Sequence, residues 1–135
     1  MANQEKAIYS ILSGDSTVSG LVSTRIYPNY IPQGAAMPAI SVMQISGVRG
    51  YTMDGADSMV ESRYQISCWA TDYDGVRDVA DAVRGALSAY SGTAASVVID
   101  VAFLEDENDV PQYSKGSDVA KRYGKDLDFI IWFRE

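Results

Sequence analysis

The chain has 135 residues, of which 47% are hydrophobic, 11 are basic and 18 are acidic, so its formal net charge is −7. This length suits a single domain, which we place at residues 1–135, and the composition excludes a disordered chain. The acidic balance argues against a surface that grips a phosphate backbone, because such binding depends on Lys and Arg. An acidic surface can still lie close to nucleic acid without binding it.

The sequence also limits the cellular setting. No apolar run approaches the roughly 20 residues that span a bilayer, and the start of the chain, MANQEKAIYS, lacks the basic flank and apolar core of a signal peptide. The one cysteine, Cys68, cannot form an internal disulfide. We therefore expect a protein that is assembled in a cytoplasm and does not contact a membrane.

The N-terminal part of the chain predicts two helices and a short strand. One helical stripe between Asn3 and Ser13 carries four apolar residues: Ala7, Ile8, Ile11 and Leu12. Gly14 is a suitable stop for this helix, and Asp15 or Ser16 could cap a second, shorter one. We predict a short strand at Arg25 to Tyr27, because the prolines and the glycine that follow exclude a long regular element.

Two longer strands follow, joined by a hairpin. Ala39 to Val48 is apolar but changes phase, which predicts a bulge near Met43. Arg63 to Trp69 alternates polar and apolar residues, the pattern of a strand with one buried face. The stretch between them, Tyr51 to Asp57, is predicted to form the hairpin tip and to become ordered on a partner.

The period then changes from that of a strand to that of a helix. Apolar residues three or four positions apart predict a long helix over about 73–90: Val76, Val79, Ala80, Val83, Ala86, Leu87 and Tyr90. Thr71, with Asp74 three residues later, predicts the helix start. The Thr71 side chain can accept a hydrogen bond from an amide of the first turn, and the negative charge of Asp74 is stabilised by the amides exposed there.

The C-terminal part predicts a turn, a strand, a loop and a final strand. The turn falls at Ser91 to Thr93, and the strand after it has alternating apolar residues from Val97 to Phe103. The acidic run from Glu105 to Val110 precedes Pro111 and predicts a loop, either as a solvated hairpin end or, less favourably, as a cation site. The last strand has Tyr123, Leu127, Phe129, Ile131 and Phe133 on one face.

This order of elements predicts the α+β class. We expect a mainly antiparallel sheet of about four long strands, with the long helix and the N-terminal helices packed on it. The sequence shows no internal repeat and no linker between domains.

The side chains argue against an enzyme. There is no histidine, so Ser-His and Cys-His nucleophilic pairs and the commonest metal ligand are absent. Cys68 shares a strand face with Tyr64 and Ile66, which is typical of a small buried hydrophobe rather than a reactive thiol. Asp72 and Asp74 resemble part of a calcium loop, but the remaining ligands do not follow. We expect no catalytic, cofactor-binding or metal-binding site.

Several strands carry apolar residues on the face opposite their main apolar face. These residues are Trp69, Val98, Leu104, Ile130 and Trp132. One interpretation, slightly favoured, is that helices cover both faces of the sheet. The other is a subunit interface, where Trp, Tyr and Met are enriched.

The sequence resembles the tail completion, or tail terminator, proteins of long-tailed bacteriophages and related prophage-derived particles. The resemblance covers nearly the whole chain and rests on the order and spacing of short segments. These are Ile11-Leu12, Leu21-Val22, Arg25-Ile26-Tyr27-Pro28, Pro32-Gln33-Gly34 before Pro38, Cys68-Trp69-Ala70, the helix from Val76 to Leu87, Phe103-Leu104-Glu105-Asp106 and Asp128-Phe129-Ile130-Ile131-Trp132. The stretch from Val110 to Arg122 is longer and more polar than the family pattern.

The resemblance implies a structural virion protein rather than an enzyme. It implies an α+β subunit that forms a ring, usually of six copies, at the head-proximal end of the tail tube. Such a ring ends tube polymerisation and joins the tail to the head connector. The implied partners are further copies of the chain, the tail tube protein and a head-tail connector or stopper protein, with DNA passing through the lumen without specific binding.

Two groups of residues are candidates for these contacts. We expect acids to line the lumen or contact a neighbouring ring: Asp54, Asp57, Glu105, Asp106, Glu107 and Asp109. Four apolar residues are candidates for the subunit interface: Trp69, Leu104, Ile130 and Trp132. The competing interpretations are another neck component, such as a head-completion or stopper protein, and, with less support, a small monomeric binding module or a small hydrolase.

Overall fold

The computed structural model describes residues 4–29, 31, 36–52, 55–110 and 123–134, and it describes their side chains except at 49–52 and 55–58. The described elements follow one another as α1 Gln4–Gly14, α2 Ser16–Val22, β1 Ile26–Pro28, β2 Ala39–Thr52, β3 Gly55–Ala70, α3 Tyr73–Leu87, β4 Gly92–Ala94, β5 Val97–Val110 and β6 Tyr123–Arg134. This architecture confirms the predicted α+β class. None of the described helices is long and apolar enough to cross a membrane.

Both N-terminal helices form where the sequence predicts them. α1 buries Ala7, Ile8 and Leu12. α2 is capped by Asp15, whose Oδ1 accepts hydrogen bonds from the amides of Thr17 and Val18 at 2.9 and 3.1 Å. A carboxylate at this position satisfies amides that have no partner within the helix.

α3 is shorter than predicted, and its cap is a different residue. Asp72, rather than Thr71, lies at the N-cap, and its Oδ1 accepts a hydrogen bond from the amide of Gly75 at 2.7 Å. The helix ends at Leu87 instead of near residue 90, and Ala89 adopts a positive φ of 61°. The apolar period continues to Tyr90, but a residue in the left-handed region cannot continue a right-handed helix.

The sheet has six strands in the order β1-β2-β3-β6-β5-β4. All neighbouring pairs are antiparallel except β1 and β2, which are parallel. In the β2–β3 hairpin the last pairs are Tyr51 with Ala56 and Thr52 with Gly55. The tip is therefore shorter than the predicted Tyr51 to Asp57, and its residues 53 and 54 lie outside the described part of the chain, as does the segment 111–122.

Three of the four register shifts in the described ladders insert one residue into β2 or β5; the fourth lies between Arg49 and Tyr51. The shift between Gln44 and Ser46 in β2 confirms the predicted bulge near Met43. In β5, shifts fall between Ile99 and Val101 and between Leu104 and Asp106. Each inserted residue moves the residues after it to the opposite face of the sheet, because side chains alternate with a period of two.

The prediction of a loop from Glu105 to Val110 is wrong, because β5 continues through this acidic run to Val110. Its pairing with β6 extends to Asp109 opposite Lys125 and Val110 opposite Gly124. The Nζ of Lys125 lies 3.4 Å from a carboxylate oxygen of Glu107 and 3.7 Å from one of Asp109. Basic side chains from other elements thus reduce the charge repulsion along the strand.

The predicted turn at Ser91 to Thr93 is also misplaced. Gly92–Ala94 forms the short strand β4, which pairs with Val97 to Ile99 of β5. The turn lies at Ala95 and Ser96, which have φ angles of 48° and 66°. Two consecutive positive φ angles in a two-residue hairpin loop are the signature of a type I′ turn.

All three helices pack on the same face of the sheet, so the expectation that helices cover both faces is wrong. One buried cluster joins helix residues such as Leu12 and Val83 to strand residues such as Ile66 and Phe129. Buried Tyr64 ties α1 to β3, because its hydroxyl donates to Gln4 Oε1 at 2.9 Å. None of the described helices packs on the opposite face, which we call the outer face.

Candidate functional site

The outer face consists of side chains that lie in register across four strands. Residues paired in the ladders β2–β3, β3–β6 and β6–β5 form rows that run across the sheet. Because side chains of directly opposed residues are neighbours on one face, each row is a line of contacting positions. Two rows, which we call the apolar rows, contain Trp132, Ile130 and Phe103; the next two, the acidic rows, contain the aspartates; and the last contains Trp69.

The two apolar rows occupy one end of the outer face. In the strand order β2, β3, β6 and β5, the first row consists of Val48, Glu61, Trp132 and Val101. The second row consists of Ser46, Arg63, Ile130 and Phe103. The side chains of Val48 and Phe103 are 60% and 53% exposed, respectively. Apolar side chains that are contiguous and uncovered typically mark an interaction surface.

The two acidic rows lie directly beside the apolar ones. In the same strand order, the first acidic row consists of Met43, Gln65, Asp128 and Asp106. The second consists of Ser41, Ser67, Asp126 and Asn108. Asp126 accepts hydrogen bonds from Ser67 Oγ at 2.6 Å and from Gln65 Nε2 at 3.2 Å. Asp106 accepts hydrogen bonds from the amide of Glu107 at 2.9 Å and from Asn108 Nδ2 at 3.0 Å.

Asp128 is the least satisfied of these acids. Its Oδ1 is buried and has no hydrogen-bond partner among the described residues. Burial raises the pKa of its carboxyl group, the negative charges of Asp106 and Asp126 raise it further, and Arg63 partly opposes them. A carboxylate in this position favours a nearby positive charge.

The row that contains Trp69 has a close contact between an indole and a backbone. Trp69 pairs with Gly124, and a methyl group on Gly124 would lie only 2.7 Å from the Trp69 ring. Because glycine has no side chain, the indole can pack closely against the backbone of β6 at this position. Beside it, a groove of about 300 Å³ on the outer face is lined in part by Met43, Gln65 and Ser67.

Of the predicted apolar contact residues, Trp69, Ile130 and Trp132 lie on the outer face. Leu104 does not, because it pairs with buried Phe129 and packs against the core. The bulge between Ile99 and Val101 reverses the phase of β5, which brings Leu104 inward. Val101 and Phe103 take the outer positions instead, and sequence analysis missed them because unbroken alternation placed them on the buried face.

The predicted acids do not form one cluster. Asp106 lies on the outer face, and Glu105 forms an ion pair with Arg63 of that face. Glu107 and Asp109 lie on the helix side, where Glu107 is 3.3 Å from Arg84 of α3. Asp54 lies outside the described residues, and Asp57 belongs to β3 without a described side chain.

The described residues do not suggest catalytic chemistry at another place. Cys68 is completely buried, and burial raises the pKa of its thiol, so the nucleophilic thiolate is disfavoured. No group of three potential ligands among the described side chains could hold a metal ion. The outer face is therefore the candidate functional surface.

Comparisons with known proteins agree with the fold. The profile of the family described as Tail completion protein gp17 matches residues 6–130. A chain from the structure titled "Virion of native gene transfer agent (GTA) particle" matches with a TM-score of 0.75 and 19% sequence identity. That match covers 98% of this chain and 95% of the other, and at this identity it shows a shared fold. No curated protein sequence matches the chain.

Proposed function

Because the chain belongs to the family of Tail completion protein gp17, we propose that it forms a ring at the head-proximal end of a tail tube. The family is structural rather than enzymatic, and the chain is a tail completion protein of a phage-like virion. In this proposal the ring, most simply of six copies, ends tube polymerisation and joins the tail to the head connector. Its partners are further copies of the chain, the tail tube protein and a connector or stopper protein.

The observation that carries the proposal is the uncovered outer face. A subunit that acted alone would leave Trp132, Ile130 and Phe103 facing solvent, whereas a subunit of a particle can cover them. A closed ring requires two different surfaces on each copy, and the fold offers the helical face and both sheet edges. The structural likeness to a chain of a gene transfer agent virion supports a place in such a particle.

The charge of the chain supports a lumen that DNA passes without binding. A net charge of −7 repels phosphates, and some of the predicted acids would face the lumen or a neighbouring ring. Among the described acids, Glu107 and Asp109 are held by Lys125 and Glu105 by Arg63, so Asp106 is the better candidate for contact with a neighbouring ring. A ring structure with a basic lumen and all six acids on its outer wall would contradict this assignment.

The competing assignment is another neck component, such as a head-completion or stopper protein. The family match to a tail completion protein favours the tail. Co-sedimentation with tail tubes but not with capsids would support the tail, whereas the reverse would support the competitor. A small monomeric binding module is opposed by the uncovered apolar rows.

The direct test combines light scattering across a concentration series with negative-stain imaging, first alone and then with tail tubes from the same particle. We expect six-fold rings, or rings that form on tube ends, and tubes that stop growing once capped. A protein that stays monomeric at every concentration and leaves tube growth unchanged would refute the proposal.

A further inference from the structure

The acidic rows of the outer face carry negative charge that the described side chains offset only in part. Asp106, Asp126 and Asp128 lie among neutral side chains such as Gln65 and Ser67. The two nearest cations on this face are already engaged. Arg63 forms an ion pair with Glu105, and Arg134 forms one with Asp100 at 3.0 Å.

The position of these acids constrains what can cover the apolar rows. Asp128 and Asp106 lie in the row next to Ile130 and Phe103, so a partner that covers the apolar side chains also shields these carboxylates from water. Removing a charge from water is costly unless an opposite charge accompanies it. A partner of this face must therefore bring a Lys or Arg to the acids together with apolar side chains for the neighbouring rows.

A second copy of the chain does not match this requirement with the cations that the structure describes. Most are already bound within the chain to carboxylates or carbonyls: Arg25, Arg63, Arg84, Lys125 and Arg134. Arg77 lies over the ring of Tyr73.

We propose that the outer face binds a different protein of the particle, through a basic and apolar surface that places a Lys or Arg between Asp106 and Asp128. The aliphatic and aromatic residues of that partner cover Ile130, Trp132 and Phe103. The inference rests on the proposed function, because it assumes a place in a virion. It adds that contacts between copies in the ring use other surfaces.

The chain carries its own reporters for this contact. It has two tryptophans, and both Trp69 and Trp132 lie on the outer face. Replacing them with 5-fluorotryptophan gives two ¹⁹F resonances that are absent from any unlabelled partner. The labelled protein is examined alone, as assembled rings, and with added tail tubes or purified head connector.

We expect the ¹⁹F resonances to stay unchanged on ring formation and the Trp132 resonance to shift or broaden on addition of tubes or connector. The double substitution D106N/D128N should weaken that binding about ten-fold and reduce its dependence on salt. The matched control D78N/D81N removes two carboxylates from the exposed side of α3 and should bind as the wild type does.

Three outcomes would overturn the inference. D106N/D128N could bind with wild-type affinity, the Trp132 resonance could stay unchanged in the bound state, or it could already shift when copies associate. If rings form and cap tubes in any of these cases, the proposed function stands and only this inference fails. If the protein neither forms rings nor binds tubes or connector, both fail.

Discussion

Asp106 of β5 and Asp128 of β6 are directly opposed in the antiparallel ladder, so two carboxylates occupy neighbouring positions on the outer face. Like charges opposite one another destabilise a strand pair. The two opposed carboxylates therefore do not stabilise the fold. Their presence agrees with a role in binding.

Replacing Asp128 with Asn should stabilise the free protein by about 0.5 kcal/mol at neutral pH, because it removes the cross-strand repulsion. The pKa of Asp128 is raised above its ordinary value of 3.8, so the folded state holds this proton more tightly than the unfolded state. The wild type therefore loses stability as the pH rises through the range above 3.8. The advantage of D128N should be fully present at neutral pH and disappear in acid.

Urea unfolding at several pH values measures this effect, and D78N on the exposed side of α3 is the control, whose change in stability should not show the pH dependence of D128N. A D128N variant that is less stable than the wild type at pH 7, or whose advantage does not change with pH, would contradict the assignment.

Substitutions at the type I′ turn of Ala95 and Ser96 should raise the stability of the protein. Both residues have positive φ, a region that Asn and Gly adopt with less strain than Ala and Ser. The double substitution A95N/S96G should stabilise the protein by about 0.5 to 1 kcal/mol in thermal or urea unfolding. The adjacent control A94G places glycine within β4 and should destabilise by a similar amount. Equal effects of the two variants would show that the turn is not of this type.

Gly124 should not tolerate a methyl group, since that group would meet the Trp69 ring at 2.7 Å. G124A should destabilise by about 1 to 3 kcal/mol and change the fluorescence of Trp69, measured in a W132F background. The control is G85A on the exposed side of α3, where a methyl group meets nothing within 4 Å. It should stabilise by about 1 kcal/mol, because Ala favours a helix interior over Gly. Unchanged fluorescence in G124A would argue against this contact.

The hydroxyl of Tyr64 connects the N-terminal helix to the sheet. It donates to Gln4 Oε1 at 2.9 Å, and Ser62 Oγ lies 3.0 Å from the same oxygen. Y64F should lower the free energy of unfolding by about 1 kcal/mol. This is at the low end for a buried hydrogen bond, because Ser62 Oγ still donates a hydrogen bond to Gln4 Oε1. A double-mutant cycle with Q4A should give a coupling energy of about 0.5 kcal/mol or more, as is typical of residues in contact. Additive effects would show that the two side chains do not interact.

The parts of the fold that follow from local periodicity were predictable. The middle of α3 and the strand before it were predicted correctly because Val76 to Leu87 repeats at the helical period and Arg63 to Trp69 at the strand period, whereas the cap and the end of α3 were not. The predictions that were wrong concern features that depend on contacts between residues distant in sequence. The acidic end of β5 is a strand because Lys125 and Arg84 approach Glu107, and neither contact is visible in the local pattern.

The outer face was predictable only in part. Trp69, Ile130 and Trp132 were identified because they break the pattern of their strands. Leu104 was wrongly included and Phe103 omitted because the bulge after Ile99 leaves no clear mark in the sequence. That all helices lie on one face could not be deduced, since an amphipathic helix fits either side of a sheet.

The two edges of the sheet are β1 and β4, and each has only three residues. β1 ends in Pro28, which has no amide proton to donate, and β4 begins with Gly92. These short strands cover only Ile40 to Val42 of β2 and Val97 to Ile99 of β5, so the rest of both long strands has no described strand on its outer side and keeps backbone hydrogen-bonding groups free. Pairing with the sheet of a neighbouring molecule is therefore restricted at β1 and β4 and open along the remainder of β2 and β5.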